Sequence, residues 1–206
     1  MRLSVPASLA ALIPLAVFAQ EQEMKTVVDF SDPHPVQWTI VNDGVMGGLS
    51  SSNLELTETG TGLFSGFVSL DNNGGFASTR AAFQTMDLSP YKGVTLKVRG
   101  DGRRYQLRFR LDGSFDGVAY MAEFDTAVGE WLEIDLPFEE FQATFRGRVP
   151  PSAGPLDPAR IRQMGFLIGD KKEGVFKLEI AWVRTLIHGA HRPRATAGGP
   201  PERAPA

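Results

Sequence analysis

Three arginines that alternate with apolar residues along one predicted strand are the leading binding candidates in this chain. Arg104, Arg108 and Arg110 share a face of that strand, because successive side chains of a β-strand point to opposite sides. Trp131 takes a polar position in a later predicted strand. A tryptophan beside guanidinium groups suits a sugar ring, an acidic ligand or a protein surface. The alternative is a solvated sheet face whose arginines pair with carboxylates across strands.

Two glycine-rich loops form the second binding candidate. Asn42 and Asp43 lie in the first loop, and Asn72 and Asn73 lie in the second. Their side chains can hydrogen-bond a ligand, and loops that connect the strands of a sandwich often carry function. The alternative is structural, since Asn and Asp also stabilise tight turns by bonding their own backbone.

A calcium-loop spacing occurs between two strand-like segments. Asp112, Ser114, Asp116, Gly117 and Glu123 fall at positions one, three, five, six and twelve of such a loop, where oxygen ligands can surround Ca²⁺. An EF-hand requires flanking helices, whereas the patterns on both sides here are those of strands. A simple Asp-Gly hairpin is therefore the favoured interpretation, and no metal is assigned.

Residue types exclude several kinds of chemistry. The chain has no cysteine, which excludes thiolate metal sites, disulfides and a cysteine nucleophile. Its three histidines, His34, His188 and His191, lie between prolines or in a polar tail, where no rigid base is expected. No phosphate-binding loop is present, so no cofactor is implied. The formal net charge of -3 argues against nucleic-acid binding through a broad basic surface.

The elements that must position these residues follow a period of two. Alternating apolar and polar residues predict strands with one buried face, and Gly, Asn and Asp clusters separate them. Asp157-Pro158 predicts one short helix over 157–162. About ten short strands predict an all-β jelly-roll sandwich. The predicted strands are 38–41, 54–56, 63–70, 76–83, 94–99, 104–111, 119–124, 132–136, 164–168 and 176–182.

The two ends of the chain differ in composition from the region between them. Residues 1–19 combine Arg2, an apolar run and a small-residue cleavage pattern, which predicts a signal peptide and a periplasmic or secreted protein. No later segment is apolar enough to predict a membrane span. The folded domain is expected at 26–186. Residues 187–206 are rich in Pro, Gly and Ala and predict a disordered tail.

The stretch 38–50, Trp-Thr-Ile-Val-Asn-Asp-Gly-Val-Met-Gly-Gly-Leu-Ser, resembles the opening signature of the complex I intermediate-associated protein family, the thirty-kilodalton assembly-factor domain. This resemblance implies a jelly-roll sandwich similar to galactose-binding domains. It also implies a chaperone-like assembly factor for respiratory complex I, with no catalytic residues to carry over. Further matching segments follow in order at 64–66, 72–78, 99–103, 129–131, 137–138, 145–148 and 165–168.

We therefore expect a non-catalytic binding domain with a protein partner. The alternative is an exported carbohydrate-binding module. A third hypothesis, a glycoside-acting enzyme, ranks last because it requires two carboxylates that face each other across a cleft.

Overall fold

The computed structural model describes residues 23–32 and 36–187, which form two six-stranded antiparallel sheets. The predicted all-β sandwich is confirmed. In spatial order, the first sheet contains β3 (Ser51–Leu56), β4 (Gly62–Val68), β12 (Gly174–Leu186), β6 (Gly93–Arg99) and β9 (Trp131–Pro137), and β1 (Thr26–Asp29) also pairs with β12. The second sheet contains β10 (Gln142–Thr144), β8 (Ala119–Asp125), β7 (Arg104–Arg110), β11 (Ile161–Ile168), β5 (Ala77–Met86) and β2 (Trp38–Ile40).

The core lies between the sheets because both contribute an apolar inner face. On β7, the residues Tyr105, Leu107 and Phe109 are fully buried, while the arginines between them point outward. On β6 of the facing sheet, Leu96 and Val98 are fully buried. Burial of one face and solvation of the other is the expected outcome of alternation in a sandwich.

The long strand β12 joins the parts of the first sheet. Its first half pairs with β4, and β1 pairs with its second half, on the side where β4 has ended. β6 pairs along the other side of β12, with a register shift between Ile180 and Trp182. The 13 residues of β12 are therefore long enough to pair with β4 and β1 in succession along one side.

Helical structure among the described residues is confined to single 3₁₀ turns. The helix expected over 157–162 is one such turn, capped by the Asp157 side chain, which accepts a hydrogen bond from the Ala159 amide at 3.1 Å. It stops there because β-strand pairing begins at Ile161. The four turns are Asp43–Met46, Asp71–Asn73, Phe138–Glu140 and Pro158–Arg160.

Pattern analysis missed two strands and did not assign strands to sheets. β1 and β10 are only four and three residues long, too short to show a period. The Gly-Asp-Gly turn between β6 and β7 carries the chain from one sheet to the other, so the two strands are not neighbours. A Gly-Asp-Gly sequence is compatible with a hairpin within one sheet and with a crossover between sheets, and only the pairing of the strands distinguishes the two.

Parts of the predicted organisation concern residues without a described structure. The predicted signal peptide at 1–19 lies outside the described residues, as does the 188–206 part of the predicted tail. The bounds of the folded domain, 26–186, stay a prediction. No helix of the described residues has the length and apolar character needed to cross a membrane.

Replacement of Phe109 by Ala tests the core. Phe109 is fully buried, and its ring centroid lies 5.1 Å from that of Phe141. We expect Phe109→Ala to lower the free energy of unfolding by about 3–5 kcal/mol because it leaves a cavity. Val128→Ala is the control, since Val128 is 77% exposed. Urea unfolding of both variants measures the difference, and equal midpoints would contradict this packing.

Candidate functional site

An arginine cluster, here called the arginine notch (Arg80, Arg108 and Arg110), lies on the outer face of the second sheet. β11 runs between β5 and β7, and its Gly165 is the pairing partner of both Arg80 and Arg108. Because Gly165 has no side chain, the two flanking arginines border a depression of about 30 Å³. Two strand spacings separate their backbones by roughly 10 Å. Long guanidinium side chains from both strands can therefore approach one ligand group.

Two of these arginines also hold the loop 111–118 that connects β7 to β8. Arg80 Nη1 donates to the Phe115 carbonyl at 2.8 Å, and Arg110 Nη1 donates to the Gly117 carbonyl at 2.5 Å. Buried Gln163 adds bonds from Nε2 to two further carbonyls of the loop, each at 2.9 Å. The acceptors are neutral, so the loop is positioned while the positive charges are retained.

Arg108 is bonded differently, because its partner is a side chain of its own strand. Its Nε and Nη2 donate to Gln106 Oε1 at 2.9 and 2.7 Å. Gln106 Nε2 in turn donates to Glu123 Oε1 at 3.1 Å. A neutral amide thus stands between the guanidinium and that carboxylate, and an amide can rotate aside for an incoming anion.

The electrostatics of the notch favour an added negative charge. Burial, followed by the neighbouring charges of Arg110 and Arg80, lowers the pKa of Arg108 to about 10. Burial and the charge of Arg110 likewise lower the pKa of Arg80 to about 10. Burial also lowers the pKa of Arg110, although Asp112 and Asp116 act in the opposite direction. All three groups remain cationic at neutral pH, and an anion would relieve their mutual repulsion.

The other two residues expected on the arginine face do not join the notch. Arg104 is exposed and already paired, with Nε 2.7 Å from Asp125 Oδ1. Trp131 lies on β9 of the opposite sheet, where the Arg99 guanidinium sits 5.0 Å from its ring centroid. The prediction of one surface holding Trp131 and the β7 arginines is therefore wrong. The connection from β8 to β9 returns the chain to the first sheet and so separates Trp131 from the β7 arginines.

Arg80 is the notch residue that pattern analysis missed. It lies outward on β5, and its alternation with buried Thr79 and Ala81 shows that orientation in the sequence. Its approach to Arg108 depends on strand order, which the local pattern does not contain.

Asp43, expected to bind a ligand, is instead fully buried and holds two loops together. Its Oδ1 accepts from the Ser50 amide at 2.9 Å, and its Oδ2 accepts from the Gly75 amide at 2.7 Å and the Phe76 amide at 3.2 Å. The Ser50 hydroxyl donates to Oδ2 at 2.5 Å. Burial alone would raise the pKa of Asp43, but these hydrogen bonds outweigh burial and hold the pKa below its ordinary value.

The three asparagines of the loop candidate also have structural roles. Asn42 Oδ1 accepts from the Ser52 hydroxyl at 2.8 Å and from the Ser78 amide at 3.2 Å. Asn72 and Asn73 adopt left-handed backbone angles, with φ of 53° and 58°. Asparagine tolerates that conformation better than most residues, which explains its use in this turn.

The residues of the calcium spacing are directed to different partners. Asp112 Oδ1 accepts from the Ser114 amide at 3.0 Å, whereas Asp116 pairs with Arg146. Glu123 lies on β8 near Arg104, at 3.7 Å. Within the described part of the chain, no three His, Cys, Asp or Glu side chains are grouped to hold a metal ion. The geometry therefore matches the hairpin interpretation of this segment.

Asp43→Asn tests the buried carboxylate. Loss of charge-assisted hydrogen bonds should lower the free energy of unfolding by about 2–3 kcal/mol at pH 7. Asp71→Asn is the control, because Asp71 lies exposed on the second of the two loops. Thermal or urea unfolding measures both variants, and an unchanged Asp43→Asn protein would refute the assignment.

The depressed pKa of Asp43 predicts that the stability difference between wild type and Asp43→Asn depends on pH. Because the folded pKa of Asp43 is depressed, its contribution is fully present above the pKa of an unfolded aspartate, about 4. It is lost as the pH falls through the lower, folded value. The stability difference between wild type and Asp43→Asn should therefore shrink below about pH 4. A difference that stayed constant or grew on acidification would contradict the depressed pKa.

Known proteins show the same sandwich. A family 11 carbohydrate-binding module from a Clostridium thermocellum cellulase superposes with a TM-score of 0.62 at 19% identity, covering 82% of this chain and 97% of the module. An agarase, AgWH50C, matches with a TM-score of 0.53 at 14% identity, covering 84% of this chain and 26% of the enzyme. At such identities the likeness establishes the fold alone.

Two animal relatives carry the same name. The chain is 31% identical to the mitochondrial complex I intermediate-associated protein 30 of Drosophila melanogaster, over 87% of this chain and 68% of the fly protein. It is 29% identical to the Mus musculus protein of that name, over 75% of this chain and 53% of the mouse protein. The chain thus spans about two thirds and about half of the lengths of these relatives.

These relatives correct three predictions. The signal peptide, the periplasmic or secreted location and the carbohydrate-binding role conflict with relatives that are named mitochondrial complex I proteins, and they are wrong. The sandwich hosts many functions, since surface residues, rather than the fold, select the ligand.

The family model for complex I intermediate-associated protein 30 matches residues 28–180. That range extends from β1 into β12 and takes in the signature loop built around Asp43 as well as the three strands of the arginine notch. The chain belongs to the complex I intermediate-associated protein 30 family.

Proposed function

We propose that this protein is a non-catalytic assembly factor for respiratory complex I that acts by binding a protein partner. Family membership and the names of the relatives support the complex I connection. The observation that carries the protein-binding part is an exposed apolar loop, residues 43–49. This loop contains the middle of the family-like signature.

Three large apolar side chains of the 43–49 loop are open to solvent. Val45 is 62% exposed, Met46 57% and Leu49 60%. Single exposed apolar residues are common, but three within five positions favour an interaction surface. Within the loop, the one charged residue is Asp43, which is buried. Methionine is enriched in protein interfaces and charged residues are depleted from their centres.

The loop is held in one shape before any partner arrives. Buried Asp43 anchors its start and Ser50 its end through the bonds described above. Gly47 adopts a left-handed φ of 89°, and a Cβ on Gly48 would collide with the Asp43 carboxyl group. A preformed loop loses little conformational entropy on binding, so its apolar side chains contribute more of their burial to affinity.

This arrangement supports a chaperone-like role. A preformed apolar loop can cover an exposed patch of an unassembled subunit and release it without covalent chemistry. Binding by surface burial is reversible, so a bound subunit can be released unchanged.

Val45→Glu tests this function. A buried carboxylate at the centre of an interface is strongly unfavourable, so we expect a loss of about tenfold or more in co-purified complex I subunits. The measurement is quantitative mass spectrometry of material captured on the tagged full-length protein from its native cells.

Val128→Glu is the matched control, because Val128 is 77% exposed on a different loop. Equal recovery of complex I subunits by Val45→Glu and wild type would disprove the role of the loop. Capture of no complex I subunit by wild type would disprove the proposed function.

A further inference from the structure

We propose that the arginine notch binds the carboxylate of an acidic side chain on a protein partner. This inference takes the class of partner from the proposed function, but it concerns a separate surface. The notch lies on the outer face of the second sheet, whereas the 43–49 loop belongs to the connection between β2 and β3.

Arg108 is the central residue of the proposed site. It is partly buried, lies beside the side-chain-free position Gly165, and bonds only a neutral acceptor in its two described hydrogen bonds. A planar carboxylate matches the donor fork of a guanidinium in two parallel bonds. Rotation of Gln106 would open the same Nε and Nη2 donors to such a ligand, and Arg80 approaches from the other side of Gly165.

The size of the depression selects a ligand that stays mostly outside it. A volume of about 30 Å³ is only about two to three times the space that one water molecule needs in a cavity. Sites that enclose a small molecule usually measure about 300–1,000 Å³. The notch therefore suits the tip of one side chain presented by a larger surface, and it is too small to enclose a nucleotide or a free metabolite.

Charges around the notch argue against an extended polyanion. Asp112 and Asp116 lie close enough to raise the pKa of Arg110, and Glu123 does the same for Arg108. These carboxylates would repel a nucleic-acid backbone or an anionic membrane surface. One isolated carboxylate between the arginines would meet three cations at closer range.

Nuclear magnetic resonance of the arginine Nε–Hε groups in the wild-type protein tests the proposal directly. The probe is the blocked tripeptide acetyl-Ala-Glu-Ala-amide, and acetyl-Ala-Gln-Ala-amide is its neutral match. We expect saturable shifts at Arg80, Arg108 and Arg110 with the Glu peptide, and none with the Gln peptide. Arg104 should not shift, because Asp125 already holds it.

Variants and a second anion complete the test. Arg108→Gln should weaken binding of the Glu peptide by about tenfold or more, while Arg104→Gln, on the same strand, should bind like wild type. Arg108→Lys keeps the charge without the fork and should fall between them. Inorganic phosphate at matched ionic strength should bind more weakly than the Glu peptide.

Three results would overturn the proposal: no saturable shift, equal shifts at Arg104, or tighter binding of inorganic phosphate, which would indicate a free-anion site. The wild-type measurement is independent of whether a variant folds. Failure here is distinguishable from failure of the proposed function, since the peptide experiment leaves the 43–49 loop unchanged and the co-purification experiment leaves the notch unchanged.

Discussion

The sandwich depends on one buried carboxylate, Asp43, which ties together the two connections that pass between the sheets near the signature loop. The first connection leads from β2 to β3 and the second from β4 to β5. Asp43 belongs to the first connection and accepts hydrogen bonds from the Gly75 and Phe76 amides of the second. Ser50 also links the two connections, because its hydroxyl accepts a hydrogen bond from the Ser69 amide. An ionised group in this position is tolerated because hydrogen bonds replace its lost water.

A similar set of hydrogen bonds secures two further connections between the sheets. Asp101, in the crossover from β6 to β7, accepts from the Tyr105 hydroxyl at 3.0 Å and the Lys177 amide at 2.7 Å. Arg103 of the same crossover pairs with Asp170, between β11 and β12, and both side chains are nearly buried. Asp101 thus has a structural role. Charges at the crossovers are compensated locally, whereas those of the arginine notch rest on neutral acceptors.

This contrast separates the framework from the surfaces that can recognise a partner. The buried charges hold the loops in place, and the loops in turn present their exposed side chains to a partner. The 43–49 loop offers apolar area, and the arginine notch offers positive charge whose described hydrogen bonds go to neutral acceptors. Apolar burial supplies affinity, and a buried charge pair supplies orientation and selectivity. One sandwich can supply both affinity and selectivity because the 43–49 loop and the arginine notch lie on different parts of its surface.

The sequence by itself determined ten of the twelve described strands, their inner and outer faces, and the family, because alternation and signature motifs are local. It showed that Arg108 and Arg110 point away from the core. Tertiary structure alone decided which side chains meet: it brought Arg80 to Arg108, placed Trp131 on the other sheet and buried Asp43. The physical reason is that a strand's two faces follow from a period of two, whereas its neighbours depend on pairing with residues far away in the chain.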